Sequence, residues 1–171
     1  MRNNLAGGPI SLSLQLPFVV EIEDACSAPP TFSPILAYAI KVNETGLSYQ
    51  PDELQIGADP HTELMPDGSA AGHGPFQLTS SWPTEWKIPY RNALYAIQHF
   101  LLPAEEFWAR KGFEGDDLVR AIAAEYNSGR GGALAGHQHG DIGKFTTFSG
   151  GVSYADRALK HYTNLLSGKM P

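Results

Sequence analysis

The sequence predicts an α+β domain, mostly helical, with an irregular, short-strand lobe inserted after its first long helix. Two observations carry this. From Thr31 onward, apolar residues recur at helical spacing in several separate stretches. Between them, residues 46–75 are broken up by Gly46, Pro51, Gly57, Pro60, Pro66, Gly68, Gly72 and Gly74, a density that forbids a long helix. No internal repeat or low-complexity tract competes with this reading.

Residues 1–30 read as an N-terminal extension and residues 31–171 as the domain proper. In the extension, Ile10, Leu12, Leu14 and Leu16 alternate with Ser11, Ser13 and Gln15, the period of a half-buried strand. Pro17 interrupts it, and Ala28-Pro29-Pro30 reads as a linker. The segment either packs on the domain, the simpler expectation, or offers an edge to a partner. The first helix is expected from Thr31–Ser33 to Asn43–Glu44, with Thr31 or Ser33 as N-cap, Pro34 in the first turn and Gly46 as stop. Helical patterning resumes near 89–92 and runs through Leu94, Ile97 and Leu101. Pro103 followed by Ala104-Glu105-Glu106 predicts a break and a restart. Another helix should begin at Asp116 or Asp117 as N-cap, carry Leu118, Ile122 and Tyr126 on one face, and stop at Asn127-Ser128-Gly129. Residues 129–152 then read as a Gly-rich loop. Ser153-x-x-Asp156 is a capping box, opening a last helix with Tyr154, Ala158, Tyr162 and Leu165 on one stripe.

A chain of 171 residues, 42% hydrophobic and 18% charged, can bury a real core. Its net charge of −6, with no basic run, argues against nucleic acid as partner and against electrostatic capture by an anionic surface. No stretch approaches the roughly 20 apolar residues of a membrane span. Ser11, Ser13 and Gln15 interrupt any signal-peptide core. Cys26 is the one cysteine, which excludes an internal disulfide; a buried, inert thiol is expected.

Glu44 is the most informative residue. It closes the apolar stretch Ile35–Asn43 at a helix C-terminus, where the backbone dipole disfavours an anion. It also continues the i, i+4 stripe of Leu36 and Ile40, which turns it toward the core. Both effects raise a carboxyl pKa, and a carboxylic acid kept protonated near neutrality suits a general acid. The alternative is an exposed helix-end acid with no role.

Four ordered stretches carry a family resemblance: Asn43-Glu44-Thr45-Gly46, Gly72-His73-Gly74-Pro75-Phe76-Gln77-Leu78, Ala124-Glu125-Tyr126-Asn127-Ser128-Gly129 and Ser153-Tyr154-Ala155. Over residues 33–166 the chain resembles the lysozyme-like superfamily, in the branch of goose-type lysozymes and soluble-type lytic transglycosylases. The resemblance implies a two-lobed lysozyme-like fold that cleaves the MurNAc–GlcNAc bond of peptidoglycan without a cofactor, with Glu44 as the acid. It also implies that Gln77, Tyr126, Asn127 and Tyr154 line the cleft with Phe76 and His73, Tyr154 having the most structural part. Phe76 stands where the family has Met, and Glu125 where it has a small residue. Tyr126 reaches the acid if its helix packs beside the first. Gln77 and Asn127 offer donors and acceptors to acetamido and hydroxyl groups. Trp82, Trp86 and Tyr90 suit a sugar face or, more simply, core packing.

An inverting hydrolase needs a second carboxylate roughly 6.5–9.5 Å from the acid. Asp67 is the first candidate among Asp52, Glu53, Asp59, Glu63 and Asp67. The family's second acidic position is Thr79 here, which leaves open the one-carboxylate route of a transglycosylase. The same acidic loop suits Ca²⁺ but lacks EF-hand spacing, so solvated acids are the simpler reading. His137-Gln138-His139 has no third metal ligand at a suitable spacing, and a surface or substrate-contacting role is expected. The rivals are a chitinase-like glycosidase and a non-catalytic wall-binding or structural module of a phage tail or secretion assembly. The acidic charge suits delivery to periplasm or wall by a partner, for which the N-terminal segment is a docking candidate.

Overall fold

The computed structural model of the protein describes residues 5, 9–10, 16–47, 74–78 and 88–171. Among the described residues the architecture is mostly helical with one short antiparallel hairpin, an α+β arrangement. Helix α1 (Val19–Ser27) follows a turn in which Phe18 takes the left-handed conformation, φ 65°. It buries Val19, Ile22, Ala25 and Cys26, an i, i+3, i+6, i+7 face. The stretch that the sequence reading left between Pro17 and the 28–30 linker is therefore helical. Residues 11–15, the middle of the expected strand, lie outside the described residues. Ile10 and Leu16 on either side are buried, and the Ile10 amide donates to Glu23 Oε1 at 2.6 Å. The N-terminal segment thus packs on the domain, the simpler of its two expectations.

Helix α2 (Pro34–Thr45) starts as expected: Ser33 Oγ accepts from the Leu36 amide, and Pro34 occupies the first turn, where its missing N–H costs nothing. Every residue from Ile35 to Val42 is buried, as in a helix enclosed on all sides. α1 and α6 (Tyr154–Leu166) pack against it. Full burial of side chains such as Leu36 and Ile40 contributes roughly 1.5–3 kcal/mol each. Gly46, at φ 67°, ends the helix one residue beyond the expected limit. The wholly buried Lys41 donates to the Gly46 carbonyl at 2.7 Å and lies 5.4 Å from the Phe18 ring and 5.7 Å from the Tyr38 ring.

Helix α3 (Pro89–Ala96) runs into a π-turn (Ile97–Leu101) and then α4 (Leu102–Arg110) without leaving helix. The break expected at Pro103 is absent. A proline lacks the amide for the ladder and its ring crowds the carbonyl one turn back. The chain absorbs this by widening: the Leu102 amide bonds to the Ile97 carbonyl, five residues back. The wide turn leaves Gln98, His99 and Phe100 exposed in succession.

Helix α5 (Gly115–Gln138) begins slightly before the expected position, with Glu114 as N-cap. Asp116 and Asp117 sit in its first turn, where the dipole favours them, rather than at the cap. Gly129 (φ 71°, ψ 165°) leaves helical geometry where a stop was expected, but the chain re-enters helix and continues to Gln138. The expected loop at 129–152 is thus corrected: its first part is helix. Gly136 packs closely there, since a Cβ on it would lie 2.7 Å from the Asp141 carbonyl oxygen. β1 (Phe148–Ser149) and β2 (Val152–Ser153) pair with Phe148 opposite Ser153, across Gly150-Gly151 at φ 57° and 80°. Ser153 caps α6 through the Asp156 amide, and Tyr154, Ala158, Tyr162 and Leu165 form the expected buried stripe. Arg120 ties α5 to this helix start through Asp156 (2.8 Å) and to the preceding loop through Asp141 (3.2 Å).

Cys26 is buried as expected, and its thiol is pushed up to about 12, chiefly by burial and further by Glu23. No helix among the described residues is long and apolar enough to cross a membrane.

Candidate active site

α2 delivers Glu44, in its last turn, to the place where α5 and α6 converge. Leu36 and Ile40, one and two turns earlier, are wholly buried, so the stripe carries the Glu44 side chain inward. The Tyr154 hydroxyl donates to Glu44 Oε1 at 2.5 Å. Burial holds the Glu44 carboxyl up at about 7, with the Tyr154 hydrogen bond and the Arg157 charge acting in the opposite direction. Desolvation prevails. A carboxyl titrating there is half protonated at neutral pH and can both give and take a proton.

Two phenols flank it. Tyr126, on α5, donates to the Phe76 carbonyl at 2.5 Å, and Tyr154 opens α6. Burial, and then the negative charge of Glu44, push both hydroxyls well above the usual phenol range. Both therefore remain donors. The expectation that Tyr126 reaches the acid and Tyr154 is chiefly structural is reversed in its hydrogen bonds: Tyr154 holds Glu44, while Tyr126 holds the 74–78 turn.

That turn is fastened to the helices through its main chain. Asn92 Oδ1 accepts from the Phe76 amide (3.1 Å), and Thr45 Oγ1 donates to the Pro75 carbonyl (3.3 Å). The Phe76 side chain is wholly buried, and the residue is tied to its neighbours through its backbone amide and carbonyl. Gln77 takes φ 46°, unusual for a residue other than glycine, and its Nε2 donates to the Gly74 carbonyl at 3.0 Å. Asn127 Oδ1 accepts from the Thr147 amide at 2.7 Å, anchoring the approach to the hairpin. Asn43 Nδ2 donates to the Tyr154 carbonyl at 2.8 Å, locking α2 to α6 beside the acid.

Glu44, Phe76, Gln77, Tyr126, Asn127 and Tyr154 are thus linked by short steps through one region. Asp67 and His73 lie outside the described residues, as do Asp52, Glu53, Asp59, Glu63, Thr79, Trp82 and Trp86. Tyr90, half-buried, packs against the core. Glu125 points away from the acid: it accepts from Trp108 Nε1 (2.9 Å) and pairs with Arg130 (2.7 Å). His137 lies at the end of α5, where its ring meets Trp108 and Phe113, and His139 meets Phe145.

Two residues beside the tyrosines escaped the sequence reading. Phe100, 37% exposed, meets Tyr126 edge-on at 5.9 Å. Its outward position depends on the π-turn, which no local signal announced. Arg157 lies three residues after Tyr154 on α6, with its guanidinium 5.7 Å from the Tyr154 ring; that i, i+3 spacing was the available signal. Compared with known proteins, the chain matches no family model, no curated protein and no solved structure.

Proposed function

We propose that the protein is a peptidoglycan-cleaving glycosidase acting on the MurNAc–GlcNAc β-1,4 bond, with Glu44 as general acid. One observation carries this reading: a carboxyl held at about 7 on a buried helix end, gripped by one tyrosine hydroxyl and flanked by a second. The resemblance of the four ordered stretches to goose-type lysozymes and lytic transglycosylases supplies the substrate class.

In the first step, protonated Glu44 gives its proton to the glycosidic oxygen as the C1–O bond breaks and an oxocarbenium-like centre develops. The resulting carboxylate keeps the Tyr154 hydroxyl as a donor. In the second step, Glu44 takes a proton from the attacking hydroxyl as the new C1–O bond forms. The attacker is the muramoyl 6-hydroxyl in a lytic transglycosylase. In a hydrolase that uses Glu44 alone it is water. In the inverting version the two steps merge, and Asp67 rather than Glu44 takes the proton from the water as it attacks C1 and the leaving oxygen departs. Phe100 offers a stacking face, and the amides of Gln77 and Asn127 offer polar contacts to acetamido sugars.

Turbidity loss of purified cell walls, followed with wild type and Glu44→Gln, tests the reading. Lysis by wild type with a loss of at least about a hundredfold in the variant is expected for removal of the acid. Equal lysis by both sinks the assignment. Lysis by neither, with walls retained on the protein, supports a binding module, and chitin oligomer cleavage without wall cleavage supports the chitinase-like alternative.

A further inference from the structure

Among the described residues, groups from two helices act on the Glu44 carboxyl. From α5 comes Tyr126, and from α6 come Tyr154 and Arg157. The 74–78 turn, Gly74-Pro75-Phe76-Gln77-Leu78, brings no titratable side chain. On α2 itself, Lys41 is committed to the Gly46 carbonyl. Among these groups, Arg157 is the cation whose charge acts on Glu44.

Its placement is not that of a loose surface arginine. The side chain is half-buried, the guanidinium lies over the Tyr154 ring, and Nη1 donates to the Val152 carbonyl at 2.9 Å. The ring it covers is the one whose hydroxyl holds Glu44. The carbonyl it grips belongs to β2, one residue before the cap of α6. A planar guanidinium can serve ring and carbonyl together because its donors lie at the edge while its face stays available. One side chain therefore joins the hairpin to the phenol that holds the acid.

We propose that Arg157 is a positioning residue of this site: it clamps the Tyr154 ring between hairpin and helix and supplies the positive charge that faces Glu44 once its proton has left. The need follows from the two-step chemistry and rests on the glycosidase reading. Burial alone favours a permanently protonated carboxyl, which can give a proton to the leaving oxygen but cannot take one back from the attacking hydroxyl. A partly buried cation one phenol away offsets that bias and lets the same carboxyl serve both steps.

The test reads Glu44 directly rather than through turnover. Protein carrying ¹³C-labelled glutamate carboxyls is titrated by NMR, with the Glu44 signal assigned by its loss in Glu44→Gln. The midpoint should rise by about one pH unit in Arg157→Gln and return most of the way in Arg157→Lys. It should also rise in the wild type when salt is raised from about 0.05 to about 1 M, because a half-exposed cation is screened. The salt arm stands even if Arg157→Gln does not fold. An unmoved midpoint in a folded Arg157→Gln protein, or in the wild type across the salt range, overturns the proposal. The two readings separate cleanly. Wall lysis by wild type with an unmoved midpoint removes Arg157 and leaves the glycosidase. A shifted midpoint without lysis leaves the electrostatic pairing and removes the glycosidase.

Discussion

Replacing Glu44 by glutamine should favour the folded protein more in neutral and alkaline solution than in acid. The wild-type carboxyl titrates at about 7 in the fold against 4.5 for the free side chain. Between these values the folded chain binds more protons than the unfolded chain, so stability falls as pH rises. The native contribution is intact below pH 4.5 and is lost progressively as pH climbs through 7. A shift of this size, at about 1.4 kcal/mol per pH unit, corresponds to about 3 kcal/mol once both states are ionised. Glutamine has no such term. Its Oε1 can still accept from Tyr154, and any fixed cost of its amide group is the same at both pH values and cancels in the comparison. Urea unfolding of wild type and Glu44→Gln at pH 4 and pH 8 gives the answer. The variant should gain about 3 kcal/mol over wild type on going from the lower to the higher pH. A stability difference that does not change with pH means that Glu44 titrates like an exposed glutamate, and the general-acid argument fails with it.

Three further outcomes follow from other parts of the molecule. Gly136→Ala places a Cβ 2.7 Å from the Asp141 carbonyl and 2.8 Å from the Ile142 carbonyl; denaturant unfolding should show a loss of about 1–3 kcal/mol, as overpacking against backbone gives. Phe100→Ala should raise the KM for glycan strands roughly threefold to tenfold with an unchanged circular dichroism spectrum, the value of one aromatic stacking contact. Cys26, with its thiol at about 12, should stay unmodified by a thiol reagent in the native protein at pH 8 and react fully in denaturant.

What could be read from the sequence was local. Ser33-Pro34 at one end of α2 and Gly46 at the other, and the Ser153–Asp156 box of α6, announce helix ends within a single turn, and the structure has them where those signals stand. The Leu36–Ile40–Glu44 stripe likewise foretold an inward-facing acid. What misled was punctuation whose meaning depends on tertiary neighbours. Pro103 reads as a break unless the preceding turn is free to widen. Gly131, Gly132 and Gly136 read as a loop, though Gly136 is small because the 141–142 backbone passes against it. α1 is short and sits between prolines, and its apolar face becomes visible only when Val19, Ile22, Ala25 and Cys26 are taken together. The division of labour between the two tyrosines was out of reach for a different reason. Tyr154 and Glu44 are 110 residues apart, Tyr126 and Phe76 are 50 apart, and which hydroxyl meets which acceptor depends on how α2, α5 and α6 cross.

The central claim is that Glu44 passes a proton to a glycosidic oxygen in peptidoglycan. Mass spectrometry of soluble fragments from purified walls, digested with wild type and with Glu44→Gln, tests it most directly. The account predicts disaccharide-peptides from the wild type that are virtually missing with the variant. Their mass identifies the attacker: 1,6-anhydro ends, lighter by one water, for the muramoyl hydroxyl, and reducing ends for water. The same fragments released at the same rate by Glu44→Gln would contradict the account.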